Sequence, residues 1–299
     1  MISHGTKVFF FSLILACGAS AQIDSPNFRY VAINFPGAVF TAATGINNLG
    51  TIVGYYEVGT NCFGEITPTC RTHGFILSNK NFIRFDIPGS RNTFIFGVND
   101  FGDTVGTFQD SAAHIHGFLH HHTGQTQLID PSGALFGPPS GINNSLVVVG
   151  GNFAWYKGKF TRVDFTTPGN GETQDLTGIS NANVIVGSLF HQDFWNGILV
   201  AAGDFDLFPR INGLDTHVNG INIRGDVVGT AAIPGTGFYS PHVEAGELTG
   251  DKPDRPLRPI PVHFPGANQT APNAINRFQA IVGSYLDSKF HTHGFLAVH

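Results

Sequence analysis

The chain has 299 residues, including 38 Gly, 28 Phe and 17 Pro, and only 12% of its residues are charged. Lys plus Arg total 16 against 21 for Asp plus Glu, a net charge of -5. This composition excludes a disordered chain, which needs high charge and few aromatics. It also excludes a helical coiled coil and nucleic-acid binding through a basic surface.

The N-terminal segment predicts export. Lys7 precedes the apolar run Val8–Ala16, and Ala19-Ser20-Ala21 offers small residues to a signal peptidase. A cut before Gln22 makes residues 1–21 a secretory signal and 22–299 a single secreted domain. The alternative is Ile14-Leu15-Ala16-Cys17, a loose lipoprotein box that would leave a periplasmic or lipid-anchored protein. No later stretch reaches the ~18 apolar residues of a membrane span. After the cut only Cys62 and Cys70 remain. An even pair in an exported chain reads as a disulfide.

Six segments then repeat. They begin at Gly45, Gly97, Gly141, Gly178, Gly220 and Ala274, and the first reads Gly-Ile-Asn-Asn-Leu-Gly-Thr-Ile-Val-Gly. Asn bonds its own turn and Gly accepts positive φ, so each segment predicts a hairpin of strands A and B. A third strand, C, follows at His73-Gly74-Phe75, His116-Gly117-Phe118, Phe153, Gly197, Gly237 and His293-Gly294-Phe295. A fourth, D, runs over Phe82–Asp86 and near Gln127, Thr161, Phe205 and Ile260. Four strands in a repeat of about 45 residues are one propeller blade. The chain opens on an orphan D-type strand, Phe28–Phe35, and ends after a C strand. The expectation is therefore an all-β, six-bladed propeller of antiparallel blades, closed when the N-terminal strand completes the last blade.

The recurring G-[IV]-N-N-x-G-x-[IV]-V-G followed by H-G-F resembles the HAF family of extracellular repeat proteins, over about residues 28–299. The family's usual H-A-F reads H-G-F here, in blades one, two and six only. The resemblance implies a secreted bacterial repeat protein and no particular reaction.

In a propeller the B–C and D–A loops share one face, where ligands usually enter. Three adjacent blades there pair a carboxylate after strand B with a His opening strand C: Glu57 with His73, Asp110 with His116, and Asp287 with His293. His114 and His291 lie two residues before the latter two. His and carboxylate are metal ligands and proton carriers. Recurrence at a repeat position favours the alternative, in which each carboxylate pins its own blade's His. These eight residues form the candidate binding arc, with no metal or cofactor expected. The tract His120-His121-His122 reads as a solvated C–D turn, the Phe residues as blade packing, and Trp155, Tyr156 and Trp195 as core in preference to a sugar platform. No nucleophile motif is present. The expected function is a monomeric binding module for a glycan, a surface polymer or a surface protein. The alternative is a polysaccharide hydrolase or lyase drawing carboxylates from Glu57, Asp110, Glu172, Asp175, Asp193, Asp215 and Asp287.

Overall fold

The computed structural model describes residues 28–60, 62, 69–133, 135–165, 172–231, 236–243 and 259–299; the expected signal segment over 1–21, with Cys17, lies outside them. Strand β1 (Arg29–Ile33) leads into blade one, β2 (Phe40–Ile46), β3 (Ile52–Gly59), β4 (Cys70–Ser78) and β5 (Asn81–Phe85). Blade two is β6 (Asn92–Val98), β7 (Thr104–Gln109), β8 (Ile115–His120) and β9 (Thr126–Leu128). Blade three is β10 (Gly141–Ile142), β11 (Val148–Gly150), β12 (Phe153–Tyr156) and β13 (Lys159–Arg162). Blade four is β14 (Thr173–Ile179), β15 (Ile185–His191), β16 (Phe194–Ala201) and β17 (Asp204–Phe208). Blade five is β18 (Thr216–Ile221), β19 (Val227–Ala231), β20 (Thr236–Ser240) and β21 (Ile260–Val262). Blade six joins β22 (Gln269–Ile275), β23 (Ile281–Leu286) and β24 (Thr292–Val298) to β1.

All six sheets are four-stranded and antiparallel, and no helix occurs among the described residues. The chain is a six-bladed β-propeller. Its inner strands β2, β6, β10, β14, β18 and β22 touch in sequence around an axis, and β22 returns to β2. Strand β1 pairs with β24 from Arg29↔Val298 to Ile33↔Gly294, so the N-terminal strand closes the ring as expected.

Blade packing explains two repeat residues. The Phe of H-G-F and its equivalents (Phe75, Phe118, Phe153, Phe238, Phe295) is at most 3% exposed. Each such side chain contributes about 1.5–3 kcal/mol by leaving water. The Gly of Ile-Val-Gly lies opposite it, as in Gly54↔Phe75. A Cβ on Gly54 would sit 2.0 Å from the Ala42 carbonyl oxygen and 2.8 Å from the Phe75 ring. That carbonyl belongs to a β-bulge: the β2–β3 register shifts between Ala43 and Gly45, and four other blades shift at the same place. The bulge turns Thr44 and its counterparts out of the ladder.

A ring of amides locks the blades together. In five of the six A–B turns the Asn Oδ1 accepts two N–H groups of its own turn, as Asn47 does from Leu49 and Thr51. Its Nδ2 then donates to the backbone carbonyl of the equivalent residue in the next blade. Asn47 reaches Asn99 at 2.9 Å, Asn99 reaches Asn143 at 3.3 Å, and Asn143 reaches Ser180 at 3.3 Å. Asn222 reaches Asn276 at 2.9 Å, and Asn276 reaches Asn47 at 3.1 Å. Ser180 closes its own turn through Oγ, at 3.2 Å from the Ala182 and Val184 nitrogens. A hydroxyl has no second arm to carry the link on to Asn222.

Two outcomes are expected. A chain beginning at Gly37 lacks β1 and should lose the single cooperative melting transition of the whole ring; an unchanged transition by circular dichroism would show closure to be dispensable. Ser180→Asn should add the missing inter-blade bond, worth ~1 kcal/mol, and raise Tm by a few degrees.

Candidate functional site

The A–B and C–D turns share one face, and the B–C and D–A loops the other. His122 in a C–D turn donates its N–H to Asp103 of an A–B hairpin at 3.0 Å, which ties the first pair together. The two faces differ from the expectation in one respect. A cavity of about 110 Å³ lies on the axis at the A–B end and not among the B–C and D–A loops. It is lined by the bulge residues Thr44, Phe96, Thr177, Asn219 and Asn273, by Ser140, and by the amide ring. The reason is that the bulges and the Asn turns occupy the last residues of each inner strand. Thr44 donates to the Ile95 carbonyl at 2.7 Å, and Asn273 to the Ala43 carbonyl at 2.9 Å.

The turns whose Asn residues line this cavity also carry exposed apolar side chains. Leu49 is 77% exposed, Phe101 61% and Phe278 64%. All three hold the same turn position, two residues after the ring Asn, in adjacent blades one, two and six. The Asn Oδ1 binds the backbone N–H of this residue, as at Phe101 and Phe278, 3.0 Å in both. With its backbone held there, the side chain stays at the surface. The Arg277 guanidinium lies 4.5 Å over the Phe278 ring. Beneath them Asp100 accepts from Asn48 and Asn144 at 2.8 and 2.7 Å. Burial would raise its carboxyl, but these bonds outweigh it and hold it below the usual range. Assigning Phe to blade packing missed this crown. The available signal was a large apolar residue inside an otherwise polar turn.

The predicted arc divides into three separate places, one per blade. Glu57 is a correction. It pairs with Thr72, whereas Tyr56 pairs with His73. The matching pairs are Phe108↔His116 and Tyr285↔His293, so Val58, not Glu57, stands where Asp110 and Asp287 stand. A one-residue offset turns a strand side chain to the opposite face. Glu57 is accordingly fully buried and within 3.4 Å of the Thr72 hydroxyl. His73 instead bonds Asp86, beyond strand D, at 2.9 Å. The equivalent partners are Asp130 for His116 and Asn34 for His293, both at 2.8 Å. Asp86, Asp130 and Asn34 went unpredicted, although each lies one or two residues beyond its D strand.

Blades two and six do unite their expected residues. Asp110 Oδ2 lies 3.2 Å from His114 Nδ1 and 3.5 Å from His116 Nε2. Asp287 Oδ2 lies 3.4 Å from His291 Nδ1 and 3.2 Å from His293 Nε2. The His291 N–H, with lesser help from His293, holds the Asp287 carboxyl well below the carboxylate range. Burial would raise Asp110, but the His114 N–H and both imidazoles hold it down. The bond to Asp130 raises His116. In blade one Arg71 occupies the place of the first His, and the B–C loop is closed by the predicted Cys62–Cys70 disulfide.

The remaining candidates are dispersed. Glu172 bonds His191, and Asp193 sits in the hairpin turn between β15 and β16 at φ 68°. Asp215 acts electrostatically on His217. Trp155 is buried, and Lys157 lies 5.0 Å over the Tyr156 ring. Trp195 lies beside His217, with ring centroids 5.3 Å apart. Asp175, on the inner strand of blade four, is pushed by burial up to about 6.

A carboxyl raised in this way keeps its proton in the folded chain after the unfolded chain has lost it. Asp175 therefore costs stability as pH rises through the interval from about 4 to 6. Asp175→Asn should remove that slope and raise Tm at neutral pH. A profile of Tm against pH that matches the wild type would refute this.

No protein-family model matches the chain, and no curated protein matches it.

Proposed function

We propose that the protein is a secreted, non-catalytic binding module that takes a glycan on its A–B face. The observation that carries this reading is the set of exposed apolar residues Phe278, Leu49 and Phe101, at one position of three A–B turns whose Asn residues wall an axial cavity. Exposed apolar groups held together on a rigid scaffold mark a ligand or partner surface. Aromatic faces offer a platform for the C–H face of a sugar, and nearby amides suit its hydroxyls. The cavity itself admits only a small group, so a polymer would lie across the crown with one substituent directed inward. The likeness of the repeat to HAF proteins agrees with an extracellular role.

A glycan array followed by calorimetry on the retained sugar tests this. Phe101→Ala combined with Phe278→Ala should weaken binding at least about tenfold with Tm unchanged, since both residues are exposed. Unchanged affinity would remove the crown from the site. Retention of a protein and no glycan would overturn the ligand class. Turnover of the retained polysaccharide, lost on changing one carboxylate, would establish the hydrolase or lyase reading instead.

A further inference from the structure

The two B–C turns of blades two and six are near-copies that a loop-pinning role does not explain. In each, the Asp N–H donates to the carbonyl four residues on, Asp110 to His114 at 2.9 Å and Asp287 to His291 at 3.0 Å. In each, Asp Oδ1 accepts the N–H of that same His at 2.8 Å. Residues Ala113 and Phe290 hold φ values of 70° and 65°. Backbone and Oδ1 thus close the turn without any imidazole. Even so, each turn carries two imidazoles directed at the remaining oxygen, Oδ2. Their ring centroids are 6.5 Å apart in both blades.

Proton placement sharpens the point. Asp130 and the Asn34 carbonyl oxygen are acceptors facing Nδ1 of His116 and His293. Nδ1 must then carry the ring proton, which leaves Nε2 of the neutral ring a bare lone pair. That lone pair faces Oδ2, a second acceptor, at 3.5 Å in blade two and 3.2 Å in blade six. Either a second ring proton or a metal ion bridges two such atoms. A second imidazole nitrogen, from His114 or His291, approaches the same oxygen at 3.2 or 3.4 Å, so three donor atoms converge in each turn. A zinc ion with bonds of about 2.0–2.1 Å has tetrahedral ligand–ligand edges of about 3.3–3.4 Å. The four oxygen–nitrogen separations, 3.2–3.5 Å, bracket that edge. In both blades all three donor atoms lie within 4.8 Å of one another. An outer acceptor that fixes the tautomer of a ligand imidazole is the usual second layer of a metal site. Here Asp130 and Asn34 fill that place.

We propose that blades two and six each bind one divalent transition-metal ion of the zinc type. The ligands are Asp110, His114 and His116 in the first site and Asp287, His291 and His293 in the second. The side chains of His114 and His291 are 73% and 60% exposed, so ions can enter directly and a fourth position stays open to water or to a partner's donor. The sites lie on the face opposite the apolar crown and do not depend on the glycan reading.

Zinc titration by calorimetry on the untagged protein tests the proposal. Two ions per chain with micromolar or tighter affinity are expected, together with a rise in Tm on zinc addition. His114→Ala and His291→Ala should each remove one ion, and the double variant both. Because these imidazoles are exposed and outside the turn bonds, the metal-free Tm should not move. No binding at micromolar zinc overturns the proposal. So does a single ion per chain, or two ions retained in the double variant, which would place the metal at the His120–His122 turn.

Discussion

The architecture depends on one divided side chain. The ring Asn has an acceptor and a donor on the same amide. It spends the acceptor on its own A–B turn and the donor on the next blade. An aliphatic residue could do neither, ionised Asp has no donor, and the single short O–H of Ser does not reach the next blade while its Oγ closes the turn. Blade four illustrates the difference, because Ser180 shapes a normal turn and leaves blade five to be held by packing and by Thr177, whose hydroxyl reaches the Val218 carbonyl at 2.8 Å. Since these bonds run one way round the ring, the last one, Asn276 to Asn47, can form only if the circle closes. Pairing of β1 with β24 at the rim enforces the same closure from outside.

That device divides the molecule functionally. At the A–B end, six turns are held in register, so residues at one repeat position come to neighbouring places on the surface. An apolar choice in three adjacent blades then recurs at equivalent places on the A–B face. At the other end, no such ring ties the B–C loops among the described residues. Each is free to differ, and they do: a disulfide in blade one, and a carboxylate with two imidazoles in blades two and six.

Much of this was legible in the residues. Periodicity, Asn and Gly at fixed offsets and an unpaired terminal strand determined the blade number, the strand order and the closing strand, because hairpins are local and repeats copy local chemistry. The disulfide followed from Cys62 and Cys70 being the two cysteines beyond the expected signal segment. The triads of blades two and six were legible too, since Asp-x-x-x-His-x-His lies within one short turn.

What tertiary structure alone decided involves register and distance between segments. Glu57 stands beside its blade's His in an alignment by eye, yet one position of register sends it to the buried face, and Asp86 takes its place. The cavity lies at the A–B end because bulges and amides from six inner strands converge there, and convergence is set by the ring as a whole. The crown needed both facts: a turn that holds its third residue at the surface, and a circle that brings blades six, one and two side by side.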